Sequence, residues 1–282
     1  MTWRAFLVFL SVFLSPCAAD AADPCGADAL GTSRVMPVGT QGGLQVGLKS
    51  YPRTLPLQDH EVILTFDDGP APGTTAQILD ALAKECVRAT FFTIGRLVEQ
   101  NPDLVRREAK EGHTVAHHTY SHPQPTMRGM KPAEARADIM RGMAAVERQV
   151  YGADIGALNP GDLSALKLHT PFFRFTGFAE TPDLHAFFAA NNVGIFGTDL
   201  WAADWVPITP KKELGVVLNA LDHAGRGMLL LHDSKPWTAA MLPDLLRALK
   251  TRNYRIVHIV AGPGQGDTVP APKGWRAEAP AL

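Results

Sequence analysis

The chain has 282 residues, with 27 Lys and Arg against 28 Asp and Glu and a formal net charge of −1. That balance argues against nucleic-acid binding, which calls for a basic excess gathered on one face. Hydrophobic residues at 46% and charged residues at 20% exclude a disordered chain and leave a single globular core as the expectation.

The first segment does not belong to that core. Arg4 precedes an apolar run at 5–14, small residues follow at 17–22, and Ala19-Asp20-Ala21 forms an A-x-A cleavage site. The pattern predicts a signal peptide over 1–21 and therefore a secreted or periplasmic protein. The run falls short of the roughly 20 apolar residues that span a bilayer, so no stable membrane insertion is expected after cleavage. Cys17 admits an acylated lipoprotein as the alternative, although Pro16 stands where that signal expects a small residue. After cleavage only Cys25 and Cys86 remain. An oxidising compartment permits a bridge between them, and Cys86 reads equally well as a buried free thiol.

Residues 22–60, rich in Gly and Pro, read as an extended N-terminal lead-in with short strands. From 61 the pattern becomes regular. A β-branched apolar run at 62–66 predicts a strand, and apolar residues at helical spacing over 74–83 predict a helix. A strand at 90–94, a helix at 102–110 with Pro in its first turn, and a short strand reaching Ala116 follow. A longer helix is expected at 132–151, with Ile139, Met143, Val146 and Val150 along one face, then an inserted loop at 152–170. Further strands are expected at 172–175, 193–197, 228–231 and 256–260, with helices at 181–190, 211–222 and 238–252 between them. Alternating strands and helices imply a parallel sheet with covered faces, as an open doubly wound sheet or a barrel. Residues 263–282 read as a flexible tail.

Ionisable groups follow five of these strands. Asp67-Asp68-Gly69-Pro70 follows the first, His117-His118-Thr119-Tyr120-Ser121-His122 the short third, Arg174 the fourth, Asp199 and Asp204-Trp205 the fifth, and His232-Asp233 the sixth. Reacting groups of α/β barrels gather at such strand ends. Ten His against 3 Cys turn a metal site toward imidazole and carboxylate. A helical turn over 118–122 would aim His118 and His122 at one point. His60, His185, His223 and His258 read as solvated side chains, and His113 as structural.

Four ordered motifs, Thr65-Phe66-Asp67-Asp68-Gly69-Pro70, His118-Thr119-Tyr120-Ser121-His122, Asp199 with Asp204-Trp205, and Leu229-Leu230-Leu231-His232-Asp233, resemble those of the polysaccharide deacetylase family. This is the nodulation-type chitooligosaccharide deacetylase homology domain of carbohydrate esterase family four, and the resemblance covers about 61–260. It implies an α/β fold, a distorted (β/α) barrel of about seven strands, with its catalytic domain at 61–262. It further implies a divalent metal held by Asp68, His118 and His122, most commonly Zn2+, with Co2+, Ni2+ or Mn2+ as alternatives. Asp67 would be the general base, His232 the general acid, Asp204 its orienting partner, and Arg174 the group that holds the base ionised. The Gly177 amide would serve an oxyanion, while Trp205 and Leu230 would line the substrate groove. One departure is visible: Thr176 stands where the family carries Pro, which removes a fixed φ from that loop. His117 stands where relatives carry Asn, and Asp233 is expected to be a structural cap on the segment after it.

The implied substrate is an acetylated glycan, with N-acetyl groups on N-acetylglucosamine-type sugars removed by hydrolysis. The alternatives are an O-acetyl esterase on xylan-like glycans, a cyclic amide hydrolase on the same site, and a silenced carbohydrate-binding barrel. The oligomeric state and the particular sugar are not legible in the residues.

Overall fold

Side-chain alternation along two neighbouring strands sets the plan of the molecule. The computed structural model describes residues 25, 26, 28–124, 126–159, 162–272 and 275. The signal segment expected over 1–21 lies outside the described residues. In chain order the strands and helices are β1 (Thr32–Gly39), β2 (Gln45–Val46), β3 (Arg53–Thr54), β4 (Glu61–Asp67), α1 (Thr74–Lys84), β5 (Thr90–Thr93), α2 (Gly95–Gln100), α3 (Pro102–Lys110) and β6 (Thr114–His117). They continue as α4 (Pro132–Tyr151), β7 (Phe172–Phe173), α5 (Pro182–Ala190), β8 (Gly194–Phe196), β9 (Leu200–Trp201), α6 (Pro210–Ala224), β10 (Gly227–His232), α7 (Pro236–Thr251), β11 (Arg255–Gly262) and β12 (Val269–Pro270). Proline opens α3, α4, α5, α6 and α7, where its missing N–H would be unsatisfied in any case. Gly152 and Gly225 close α4 and α6 in the left-handed conformation.

β4 and β10 lie parallel in register, pairing Met228 with Ile63, Leu230 with Thr65 and His232 with Asp67. With a period of two, Ile63 and Met228 enter one core cluster together with Phe92, Phe172, Phe196 and Val257. Leu64, Phe66, Leu229 and Leu231 face the opposite way and pack on Ile78, Leu82, Val217, Leu242 and Leu246 of α1, α6 and α7. Each fully buried side chain of this kind contributes about 1.5–3 kcal/mol. The same alternation carries Asp67 and His232 to the interior face at the carboxyl ends of their strands.

The main sheet has ten strands, in the order β1-β11-β4-β5-β6-β7-β8-β2, with β10 beside β4 and β9 beside β10. The α/β fold is therefore as expected. The ladder stays open between β2 and β9 among the described residues. Lys49 N donates to the Thr198 carbonyl across that opening at 2.8 Å, and Asp199 Oδ1 accepts from Leu48 N at 2.9 Å.

Two segments outside the regular pattern form paired strands, one in this sheet and one in a separate two-stranded sheet. β1, from the lead-in, pairs with β11 from Thr32 to Gly39 and buries Met36 and Val38 in the inner cluster. Beyond residue 262, where a flexible tail is expected, β12 pairs antiparallel with β3. Short strands are expected in the lead-in but none in the tail, and neither pairing is legible because the partners lie far away in sequence. Cys25 and Cys86 form a disulfide with their Cα atoms 5.8 Å apart, which decides between the two readings of Cys86.

Candidate metal and catalytic site

Asp67 closes β4, and the chain then turns sharply, with Asp68 at φ 75. Gly69 is required here, because a side chain would collide with the Asp233 carboxylate, 1.9 Å from the position of its Cβ. Asp233 thus braces this turn. It accepts from Thr75 Oγ1 at 2.6 Å, and it does not cap α7, whose N-cap is Lys235 without a side-chain bond. Burial, with Asp67 and Asp68 nearby, lifts the Asp233 carboxyl to about 7.

His118 and His122 follow β6, and the backbone between them is not helical. Thr119 and His122 have φ of 65 and 52, so the helical turn expected over 118–122 is replaced by an irregular one. The physical cause is competition for the backbone amides. Tyr120 N donates to Asp138 Oδ2 at 3.0 Å, and His122 N donates to Thr119 Oγ1 at 3.1 Å. The two imidazoles still converge. His118 Nε2 lies 3.5 Å and His122 Nε2 3.3 Å from Asp68 Oδ1.

One donor atom from each of Asp68, His118 and His122 lies within 4.8 Å of the others. Asp68 Oδ1 is buried without a hydrogen-bond partner, so the three donors converge on a common space without satisfying one another. His118 Nδ1 sits 2.8 Å from the Arg174 carbonyl, to which it donates, leaving Nε2 as the lone-pair nitrogen aimed at the cluster. The donor set fits a divalent cation. Burial raises the Asp68 carboxyl, but the imidazoles of His118, His122 and His232 outweigh it and hold the group well below the usual carboxylate range. The Asp68 contact in turn raises His122.

Arg174 follows β7 and is fully buried. Its Nη1 donates to Asp67 Oδ1 at 2.7 Å and to Thr65 Oγ1 at 2.8 Å, its Nε to the Phe196 carbonyl at 3.0 Å, and its Nη2 to the Gly197 carbonyl at 2.8 Å. The guanidinium also lies over the Phe92 ring, 4.1 Å from its centroid. Burial lowers the Arg174 pKa, against the pull of Asp67. The pair is a charge-assisted contact deep in the fold.

On the other side of the cluster, His232 Nδ1 lies 2.7 Å from Asp204 Oδ1, and His232 N donates to Asp204 Oδ2 at 2.7 Å. Although burial opposes it, Asp204 raises His232 to about 9, so its Nε2 carries a proton at neutral pH. Two groups behind this pair were not among the expected site residues. The Thr238 hydroxyl stands 2.8 Å from Asp204 Oδ2 and 2.9 Å from Glu213 Oε1. Burial, with Asp204 close by, lifts Glu213 to about 8; the protonated carboxyl can donate to Thr238, which then donates to Asp204. A lone Glu in the first turn of α6 gives no sequence signal for this.

Asp67, Asp68, His118, His122 and His232 open onto one cavity of about 250 Å3, which Phe175, Gly177, Phe178, Trp201, Trp205 and Leu230 also line. Trp205 is exposed and meets Trp201 edge to face at 5.4 Å, while Leu230 is buried. Trp237 donates its Nε1 to the Asp204 carbonyl at 2.9 Å. His117 is buried beside the cluster, and burial lowers it to about 4, so it is neutral. His113 is buried and accepts from Ala89 N, a structural role. His258, read as solvated, is buried, with its Nε2 2.9 Å from Thr114 Oγ1. His60 and His223 are exposed, and His185 is half-buried.

The fold and this constellation define an α/β protein with a carboxylate and two imidazoles poised for a metal at its strand ends, flanked by a second carboxylate and a third imidazole. Residues 55–161 match the model of the polysaccharide deacetylase family. Over that stretch the chain is similar to polysaccharide deacetylases. It is 32% identical over 209 residues to the peptidoglycan-N-acetylglucosamine deacetylase PgdA of Listeria monocytogenes, covering 70% of this chain and 38% of that protein. It is 59% identical over 68 residues to a chitooligosaccharide deacetylase of Rhizobium leguminosarum bv. trifolii, covering 24% of this chain and 32% of that one. Among solved structures, the Bdellovibrio bacteriovorus peptidoglycan deacetylase Bd3279 superposes with a TM-score of 0.69 at 29% identity, covering 83% of this chain and 60% of that one. The chain thus spans well under half the length of these two curated relatives. No described helix is long and apolar enough to cross a membrane.

Proposed function

We propose that the protein is a metal-dependent hydrolase that removes N-acetyl groups from a glycan of the N-acetylglucosamine type. The observation that carries this reading is the convergence of Asp68, His118 and His122 on one cavity wall, between Asp67 and His232. The relatives named for peptidoglycan and chitooligosaccharide deacetylation support the same substrate class.

When held by Asp68, His118 and His122, a divalent cation, Zn2+ by ligand type with Co2+, Ni2+ or Mn2+ as alternatives, supplies Lewis-acid polarisation of the acetyl carbonyl and lowers the pKa of water. Asp67, held in place by the Arg174 hydrogen bond, takes a proton from the attacking water. The Gly177 N–H donates to the oxygen on which negative charge develops. His232, charged beside Asp204, gives its Nε2 proton to the departing amine as the carbon–nitrogen bond breaks. The products are acetate and a free amino sugar. Trp205 and Leu230 line the space for the acetyl methyl or the sugar face.

Acetate release from chitooligosaccharides, peptidoglycan fragments and acetylated xylan, each with and without chelator, tests activity and metal together. Release from the N-acetylated substrates that stops with chelator is the expected outcome. Equally little release from metal-loaded and chelated protein rejects the hydrolase reading. Export to an oxidising compartment belongs to the same proposal. The Cys25–Cys86 disulfide supports it, and the redox state of those thiols in protein taken from cells tests it.

A further inference from the structure

The loop that carries Gly177 has a conformation its own residues do not favour. Gly177 lies at φ 57 and ψ 22. Phe178 lies at φ 52 as well. A phenylalanine gains nothing from the left-handed region, where its Cβ crowds the backbone. Thr176 supplies no ring to fix φ, and its buried Oγ1 has no hydrogen-bond partner. Backbone bonds from Phe178 N to the Phe175 carbonyl and from Ala179 N to the Thr176 carbonyl close the turn, and contacts beyond it hold the turn in place.

The candidate is Glu180, two residues on. Its Oε2 accepts the Tyr51 hydroxyl in a short hydrogen bond, and His185 Nε2 lies 3.0 Å from the same oxygen. His185 Nδ1 is in turn 2.9 Å from Gln45 Nε2. One neutral tautomer serves both contacts, with Nε2–H donating to Glu180 and Nδ1 accepting from Gln45. Arg128 Nε donates to the Glu180 carbonyl at 3.3 Å. Tyr51 is buried, and burial together with the Glu180 carboxylate pushes its phenol upward, so the hydroxyl remains a donor. Tyr51 and Gln45 come from the N-terminal segment and His185 from α5, so two distant elements meet on one carboxylate.

We propose that Glu180, clamped by Tyr51 and His185, is the positioning residue that fixes the Gly177 amide over the cavity, in place of the ring-locked residue that position 176 lacks. Neither Glu180 nor its partners line the cavity, so they act through the loop and not on substrate. The inference rests on the proposed role of Gly177.

Tyr51→Phe keeps the buried ring and deletes the donor, and Glu180→Gln weakens the acceptor. In full-length metal-loaded protein each should lower kcat for acetate release from chitooligosaccharide about tenfold, with KM changed less than about twofold, because a misplaced donor is felt at the transition state. Metal affinity from chelator competition should stay at the wild-type value. Amide hydrogen exchange over residues 174–182 should quicken about tenfold, as local opening becomes easier.

A second substitution makes the test specific. Phe175 has φ −74 and ψ 136, the extended conformation that a residue before proline requires. Thr176 opens a 3₁₀ turn, where an N–H has no partner within the turn. Thr176→Pro in the Tyr51→Phe background should restore both kcat and protection. Wild-type exchange over 174–182 in Tyr51→Phe and Glu180→Gln overturns the clamp, whether or not acetate is released. So does an unchanged kcat in an active protein. A wild-type protein that releases no acetate from any substrate rejects the deacetylase reading instead, and the exchange data then decide the clamp by themselves.

Discussion

Behind one wall of the cleft Arg174 is fully buried and bonded to Asp67, Thr65 and two backbone carbonyls. On another wall Gly177 is exposed, and its loop takes its order from Glu180, outside the cavity. The first wall is held by charges in a low-dielectric interior, where any other arrangement leaves a group unpaired. The second is held by peripheral hydrogen bonds around a left-handed turn. Damage to the first should therefore strike stability and chemistry together, and damage to the second should separate them.

The largest effect is expected from Arg174→Ala. It leaves Asp67 buried without its partner, which typically costs about 3–5 kcal/mol, and urea unfolding would measure that loss. A stability within about 1 kcal/mol of wild type would show that this wall is less dependent on the ion pair than its geometry implies. Asp67→Asn is the gentler cut on the same side. It should bind metal normally in a chelator competition and lose about 10²–10⁴ in turnover, and full turnover would remove Asp67 from the role of base.

Reduction of the Cys25–Cys86 bridge acts far from both walls. The bridge spans 61 residues of sequence, and opening it should cost about 2–4 kcal/mol while leaving kcat alone at temperatures where the protein stays folded. Parallel melting and acetate-release curves with and without reductant would check this. A fall in kcat without unfolding would link the site to a region that the contacts keep separate.

Glu213 acts on neither wall directly and should show itself only in the pH dependence of stability. Its folded pKa of about 8 lies above the ordinary 4.5, so the folded state holds a proton that the unfolded chain releases in that window. Its stabilising contribution is thus complete below about pH 4.5 and is lost as the pH rises through about 8. Glu213→Gln should flatten that part of the Tm–pH profile, and a profile parallel to wild type would mean that Glu213 ionises as it does in the unfolded chain.

Much of the first wall is legible in the residues. Short apolar runs ending in Asp67 and His232 identify strand ends, and strand parity turns both inward. The second wall is less legible. Thr176 marks a missing constraint, but its replacement joins Tyr51 to Glu180 across 129 residues, and no local pattern encodes such a contact. The turn between His118 and His122 departs from the expected helix for a related reason: Asp138, on another helix, captures its amides. Likewise β1 reads as lead-in because its partner is β11.

That pairing has a temporal side. Ser33 hydrogen-bonds to Ile256, 223 residues later in the chain. During synthesis β1 has no strand to join until nearly the whole polypeptide exists, and Met36 and Val38 wait without their wall. Contacts of such long range slow folding and prolong the exposure of an open edge. The inner face of the sheet is thus completed last by a strand made first, and a chain cut before β11 would leave that strand unpaired.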